Sequence, residues 1–343
     1  MKQFLLTLLV AVLFSLAALG QALQPARVIV PLTGGTQSIT LAPDTFPTAW
    51  ADQSWISLGI SSASTNNGSQ SGIILMVTVA PSSTPRNGVI NLTGNSGMTI
   101  EVVQTTTATT VSGASFSAGK LVANGLASVF GTGFANQILG AQTLPLPTTL
   151  GGVSVKIINN SSQAEAACKL LFISPTQINL HIPANLPSGT YTILTTNADG
   201  SHASGVIALT DTAPDIFTVN QRGTGNPALI LQVNGPNGNV TYVQPRTITD
   251  GTNTWAEPIN LNVQGSGYLL LFTTGIGANV SLAASYIRIN GTSYPLIYAG
   301  PQGQFAGLDQ VAFAAPVGLP SGNYTAELVI NGKAANTVVI PIQ

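Results

Sequence analysis

The chain has 343 residues; 10 are Lys or Arg and 11 are Asp or Glu, for a net charge of -1. Only 6% of it is charged, against about 25% in an ordinary soluble protein. That excludes a nucleic-acid binder, which needs a basic face to neutralise phosphates, and a charge-laced helical bundle. Two His and one Cys likewise exclude a zinc finger, a multi-Cys cluster and a disulfide scaffold.

In chain order, Met1-Lys2-Gln3 carries one positive charge, residues 4–19 are apolar, and small residues follow. This is the pattern of a secretory signal, cleaved after Gly20 or Ala22, so residues 1–22 are expected to leave the exported protein. The competing reading is a transmembrane anchor. The run is somewhat short of the roughly 20 residues a spanning helix needs, and no basic flank follows it. No membrane span is expected after cleavage.

Residues 25–106 read as a small β domain. QSITL alternates, SWISLGI follows Trp50, IILMVTV is an apolar strand, and GVINLTG and MTIEVVQT close it. TTTATTVSGASFSAG then has no charge and no strong apolar period. Residues 107–120 are therefore expected to be a linker or a poorly anchored lead-in strand. Strand signals resume at Leu121 and run to the end, with no long window of helical period. Asn-Gly, at Asn67, Asn87, Asn124, Asn234, Asn237, Asn290 and Asn331, suits type I′ turns between short strands.

From residue 121 onward four blocks recur in the same order. VFGTGFA is echoed by LFTTGIGA, VSVKIINN by SYIRINGT, KLLFISPTQINLHIP by YPLIYAGPQGQFAGLDQVAFAAP, and LPSGTYT by LPSGNYT. Such a series implies two copies of one sandwich unit, residues 121–210 and 211–343. Tyr191 and Tyr324 should each lead a central strand after a Pro-Ser-Gly turn. Each ring should pack on the core, with its hydroxyl bonded to a backbone group near that turn.

These blocks carry a resemblance. VFGTGFA, LPTTLGGVSVKI, LLFISPTQINLHIP, APDIF, LLLFTTGIGA and YAGPQGQFAGLDQVAFAAP resemble the uncharacterised C-terminal domain found in Solibacter and other Acidobacteria, over residues 122–343. Each half is similar to an IPT/TIG-type immunoglobulin-like module. Residues 29–104 resemble a BACON domain through Trp55-Ile56, Arg86 and Val103-Gln104. The BACON resemblance implies carbohydrate association.

The candidate chemistry is sparse. Gln177, Asn179 and His181 share one strand face, which is expected to meet solvent. His202 lies in a turn-like stretch, and no G-x-S-x-G elbow marks a nucleophile. Asp211 and Asp215 flank the junction of the two repeats, and Asp44 and Asp52 bracket Trp50. Turn caps or solvent explain Asp211 and Asp215 better than a paired-carboxylate glycosidase site does, and a solvated loop explains Asp44 and Asp52 better than a sugar site does. Cys168 is expected to be a buried strand residue. Gly131-Thr132-Gly133 and Gly275-Ile276-Gly277 do not complete a dinucleotide fingerprint and suit tight turns. Trp55 is expected in the core. Trp50 and Trp255 are the candidate ligand-binding residues, since an exposed indole offers a flat apolar face to a sugar or a protein.

The sequence thus predicts an all-β chain of tandem immunoglobulin-like β-sandwiches, about three, after a cleaved signal peptide. The expected function is a secreted, non-catalytic binding, adhesion or spacer protein at the bacterial cell surface. A carbohydrate-binding accessory protein is the alternative, and a hydrolase with an unrecognised site the third reading. No catalytic residue, metal or cofactor is expected. The partner is an extracellular glycan or protein, not nucleic acid, and the oligomeric state is open.

Overall fold

The computed structural model describes residues 27–41, 48–64, 70–93, 98–119 and 121–343. The signal-like segment and Asp44 lie outside the described residues. The described residues form strands and one short 3-10 turn at Leu282–Ala284. They divide into two compact units, residues 27–82 with 87–103 and residues 83–86 with 104–343.

The first unit carries β1 (Arg27–Pro31), β2 (Gly35–Leu41), β3 (Thr48–Ala51), β4 (Ile56–Ser64) and β5 (Gln70–Val79), with the greater part of β6 (Arg86–Thr93) and of β7 (Thr99–Thr107). One sheet joins β3, β6, β7 and β1, and the other runs β2-β5-β4. Period-two alternation selects the buried face: in β6, Gly88, Ile90 and Leu92 point inward while their neighbours are more open. Ile39, Leu75, Val77, Ile100 and Val102 complete this core, with Trp55 packed against it. Asn87-Gly88, expected to turn, instead lies inside β6. Gly88 is there for proximity: a Cβ on it would come within 2.6 Å of Ile56 Cδ1 and 3.1 Å of Trp55.

The second unit holds two sandwiches with separate cores. The first consists of β8 (Thr109–Ser112), β9 (Leu121–Val122), β10 (Leu126–Phe130), β11 (Leu139–Gly140), β12 (Thr149–Leu150), β13 (Val153–Asn159), β14 (Glu165–Ala167), β15 (Lys169–Ile173), β16 (Gln177–His181), β17 (Gly189–Thr196) and β18 (His202–Thr210). One sheet contains β12-β13-β17-β18 and the facing one runs β11-β15-β16-β10-β8. Within the stretch expected to be a linker or a poorly anchored lead-in strand, residues 109–112 form β8. β8 pairs antiparallel with β10, and Thr110, Val111 and Ser112 are buried. The stretch lacks a clean apolar period because small hydroxyl residues fill its inward positions.

The second sandwich consists of β19 (Asp215–Ile216), β20 (Leu229–Asn234), β21 (Val240–Val243), β22 (Thr247–Asp250), β23 (Asn253–Ala256), β24 (Ser266–Thr274), β25 (Tyr286–Ile289), β26 (Thr292–Pro301), β27 (Asp309–Ala314), β28 (Gly322–Ile330), β29 (Lys333–Ala334) and β30 (Val338–Ile342). β26 serves both layers. Its start pairs with β25 and its end with β27, with an irregularity between Leu296 and Tyr298. Asn290-Gly291 and Asn331-Gly332 make the expected two-residue turns, each with both residues at positive φ.

The two sandwiches share one topology. β13-β17-β18 corresponds to β25-β28-β30, and β15-β16-β10-β8 to β26-β27-β24-β20. A parallel pairing also recurs: Leu121 pairs with Leu209 in the first copy, and Ile259 bridges Ile342 in the second. Residues 235–258 are the principal addition to the second copy, adding edge strand β21 and the β22–β23 hairpin.

Candidate functional site

An apolar concavity of the second unit lies on the outer face of the β20-β24-β27 sheet. Along β20, Leu229 and Leu231 enter the core, so alternation sends Ile230 and Gln232 outward. Along β24, Leu269 and Leu271 enter the core, which turns Leu270 and Phe272 to the groove. Gln310 on β27 pairs with Phe272 and extends this floor. Tyr242 on β21 forms one side, Phe217 flanks the floor, and the loop of residues 302–308 forms another side, with Leu126 and Leu171 contributed by the first sandwich. The space enclosed is about 890 Å³.

Two of its aromatics stand open: Tyr242 is 64% exposed and Phe305 55%. The loop that presents Phe305 is braced. Gln302 N donates to Leu308 O at 2.9 Å, Gln304 N to Gln302 Oε1 at 3.0 Å, and Leu308 N to Phe305 O at 3.3 Å. Thr274 Oγ1 donates to Gly307 O at 2.9 Å and accepts from Leu126 N at 2.8 Å, fixing the loop and the first sandwich to β24. Four of the fifteen lining residues are Gln, in a chain with 19 Gln among 343 residues, and none is Asp, Glu, Lys, Arg or His.

The residues singled out from sequence fall elsewhere. Trp50 is 51% exposed on β3 of the first unit, opposite Asn91. Trp255 is half-buried on β23, opposite Ile248 of its hairpin. His181 does not face solvent. It is 5% exposed, its Nε2 donates to Asn124 Oδ1 at 2.8 Å, and the loop glycine Gly307 packs against its ring. Burial, reinforced by the charge of Lys169, lowers its pKa. His202 Nδ1 lies 3.2 Å from Thr195 O, within the β17–β18 hairpin.

Asp211 and Asp215 accept hydrogen bonds from different serines, Ser188 and Ser115 respectively. Asp52 Oδ1 accepts from Val89 N at 2.7 Å. Cys168 is buried, and desolvation pushes its thiol up to about 12, which leaves it protonated and inert. Gly275 and Gly277 lie so near the backbone of Ala213 and Asp211 that a Cβ would collide with it, which accounts for that glycine pair.

The sequence reading missed the groove. Its trace was visible in LILQVN and LLLFTT, where apolar residues occupy both faces of a strand. A sheet face meant only for water would carry polar residues there.

Fold and site together define an all-β protein of tandem β-sandwiches with an open, uncharged aromatic groove on its last sandwich. No protein-family model matches the chain, and no curated protein sequence does. It is similar to solved structures. SGBP-B of the Bacteroides ovatus mixed-linkage glucan utilization locus, in complex with a mixed-linkage heptasaccharide, is 13% identical, with 94% of this chain and 67% of that one covered and a TM-score of 0.30. The I67-I69 fragment of titin is 11% identical over 94% of this chain and 99% of that one, at 0.20. The Escherichia coli adhesin FdeC is 10% identical over 94% and 95%, at 0.17. At these scores the likenesses carry no argument about function.

Proposed function

We propose that this protein is a non-catalytic extracellular binding protein, acting in adhesion or as a spacer at the bacterial cell surface, with its ligand seated in the groove of the last sandwich. One observation carries the reading: aromatic faces stand open on a braced, uncharged surface, where burial on a ligand would recover the apolar area now left in water. The signal-like residues 1–22 and the motif resemblance to the Acidobacterial C-terminal domain support an exported, surface-associated role.

The test uses the secreted chain, fluorescently labelled, and its retention on fixed bacterial cells and their extracellular polymer. Retention should fall when Tyr242 and Phe305 are both replaced by Ala. Equal retention of parent and variant would remove the groove from the function. Turnover of ester, peptide or glycoside substrates would overturn the non-catalytic reading.

A second reading rests on Trp50. Its half-exposed indole on β3 presents a stacking face on the unit with BACON resemblance, which supports carbohydrate association there. A Trp50→Ala chain should then lose glycan retention while Tyr242→Ala keeps it.

A further inference from the structure

We propose that the groove of the last sandwich is a binding site for a neutral oligosaccharide, stacked on Phe305 and Tyr242 and oriented by the amides of Gln232, Gln302, Gln304 and Gln310. The inference rests on the reading of this groove as a ligand site and names the ligand's class. Three observations select the class.

The first is charge. None of the fifteen lining residues bears a charge. An anionic or cationic ligand entering the groove would lose hydration and gain no counter-charge, a cost that a neutral ligand does not meet.

The second is the kind of hydrogen bond on offer. A side-chain amide both donates and accepts, as a sugar hydroxyl does. β24 is hydrogen-bonded to β20 on one side and β27 on the other, so its backbone groups are engaged within the sheet. An extended peptide laid on the β20-β24-β27 floor would find no free backbone there and could pair only with edge strand β21 at the side of the groove, whereas a sugar needs only side chains from the floor.

The third is shape and rigidity. Phe305 is held on a loop braced by its own backbone and tied to β24 through Thr274, so ordering costs little on binding. A pyranose presents a flat patch of C–H groups, which covers an aromatic face and removes its apolar area from water. The volume of about 890 Å³ falls within the range of ordinary ligand sites.

The experiment is native electrophoresis of the full secreted chain through gels containing mixed-linkage β-glucan, arabinoxylan, galactomannan or anionic polygalacturonate. At least one neutral polysaccharide should retard the chain, equally at low and high salt. Tyr242→Ala with Phe305→Ala should weaken that binding at least about tenfold, the loss of two stacking faces. Both side chains are exposed, and unchanged circular dichroism checks the fold. A matched selection from a displayed peptide library, with the same variant as counter-screen, separates the two levels of the argument. Groove-dependent peptides with no neutral polysaccharide bound overturn the sugar while leaving the groove as a site. Retardation by polygalacturonate alone, or retardation abolished by salt, also overturns the neutral sugar. Retardation that survives the double variant overturns this site, and no groove-dependent ligand of either kind overturns both readings.

Discussion

Tyr191 donates its hydroxyl hydrogen to the backbone carbonyl of Pro187, four residues earlier, at 2.7 Å. In the second copy Tyr324 does the same to Pro320 at 2.8 Å. Each bond ties the Pro-Ser-Gly segment to the central strand it feeds, β17 or β28. The copies differ in depth: Tyr191 is buried in its core, whereas Tyr324 is partly open at the rim. Tyr191→Phe should cost about 1 kcal/mol, one net hydrogen bond. Tyr191→Ala should cost about 3–5 kcal/mol through the cavity it leaves. The same changes at Tyr324 should cost less. Thermal unfolding of the full chain, with hydrogen exchange to assign each transition, measures this. Equal stability of the Tyr, Phe and Ala forms at position 191 would refute the corner bond.

Asp309, at the start of β27, is buried and accepts from Ile276 N at 3.1 Å. Desolvation outweighs the backbone hydrogen bonds and raises its carboxyl to about 6. Between about pH 4 and 6 the folded state therefore holds a proton that the unfolded chain, titrating near 4, has released. Stability should fall as pH rises from about 4 to 6 and level off above that. Asp309→Asn should flatten this slope. Above pH 6 it should be the more stable form, by on the order of 2 kcal/mol. Chemical denaturation of parent and variant at pH 4 and pH 7 tests the sign. A variant that loses stability equally at both pH values would show that Asp309 is not protonated in the fold.

Thr274 joins the two sandwiches of the second unit through one hydroxyl, which accepts from Leu126 N and donates to Gly307 O. Thr274→Val keeps the shape and leaves two backbone groups without this partner. It should cost roughly 2–4 kcal/mol. Amide exchange at Leu126 should quicken while exchange in the β13–β17 core stays unchanged. No change at Leu126 would mean that the hydroxyl does not hold the junction.

Cys168 should resist alkylation at pH 8 in the folded chain and react fully in denaturant, because its thiol is both buried and shifted to about 12. Labelling of the native protein at the rate of a free thiol would contradict that burial.

Local patterning determined much of this protein. Strand alternation marked Ile90 and Leu92 in β6 and Val153 and Val155 in β13 as core residues, because period two sends alternate side chains to one face. The ordered blocks marked the duplicated unit, since each copy repeats the turn and the tyrosine that a sandwich needs at one place. Asn290-Gly291 and Asn331-Gly332 marked their turns, because both residues accept positive φ. Three matters waited for the tertiary structure. The small, hydroxyl-rich β8 joins a sheet because β10, seventeen residues later, offers it a ladder. His181 is buried because Gly307, 126 positions away, lies on it. The groove exists because Leu126, Phe272, Tyr242 and Phe305 reach one place from four separate segments. Alternation tells a residue which face of its own strand it occupies. What covers that face is a long-range contact, and no local period encodes it.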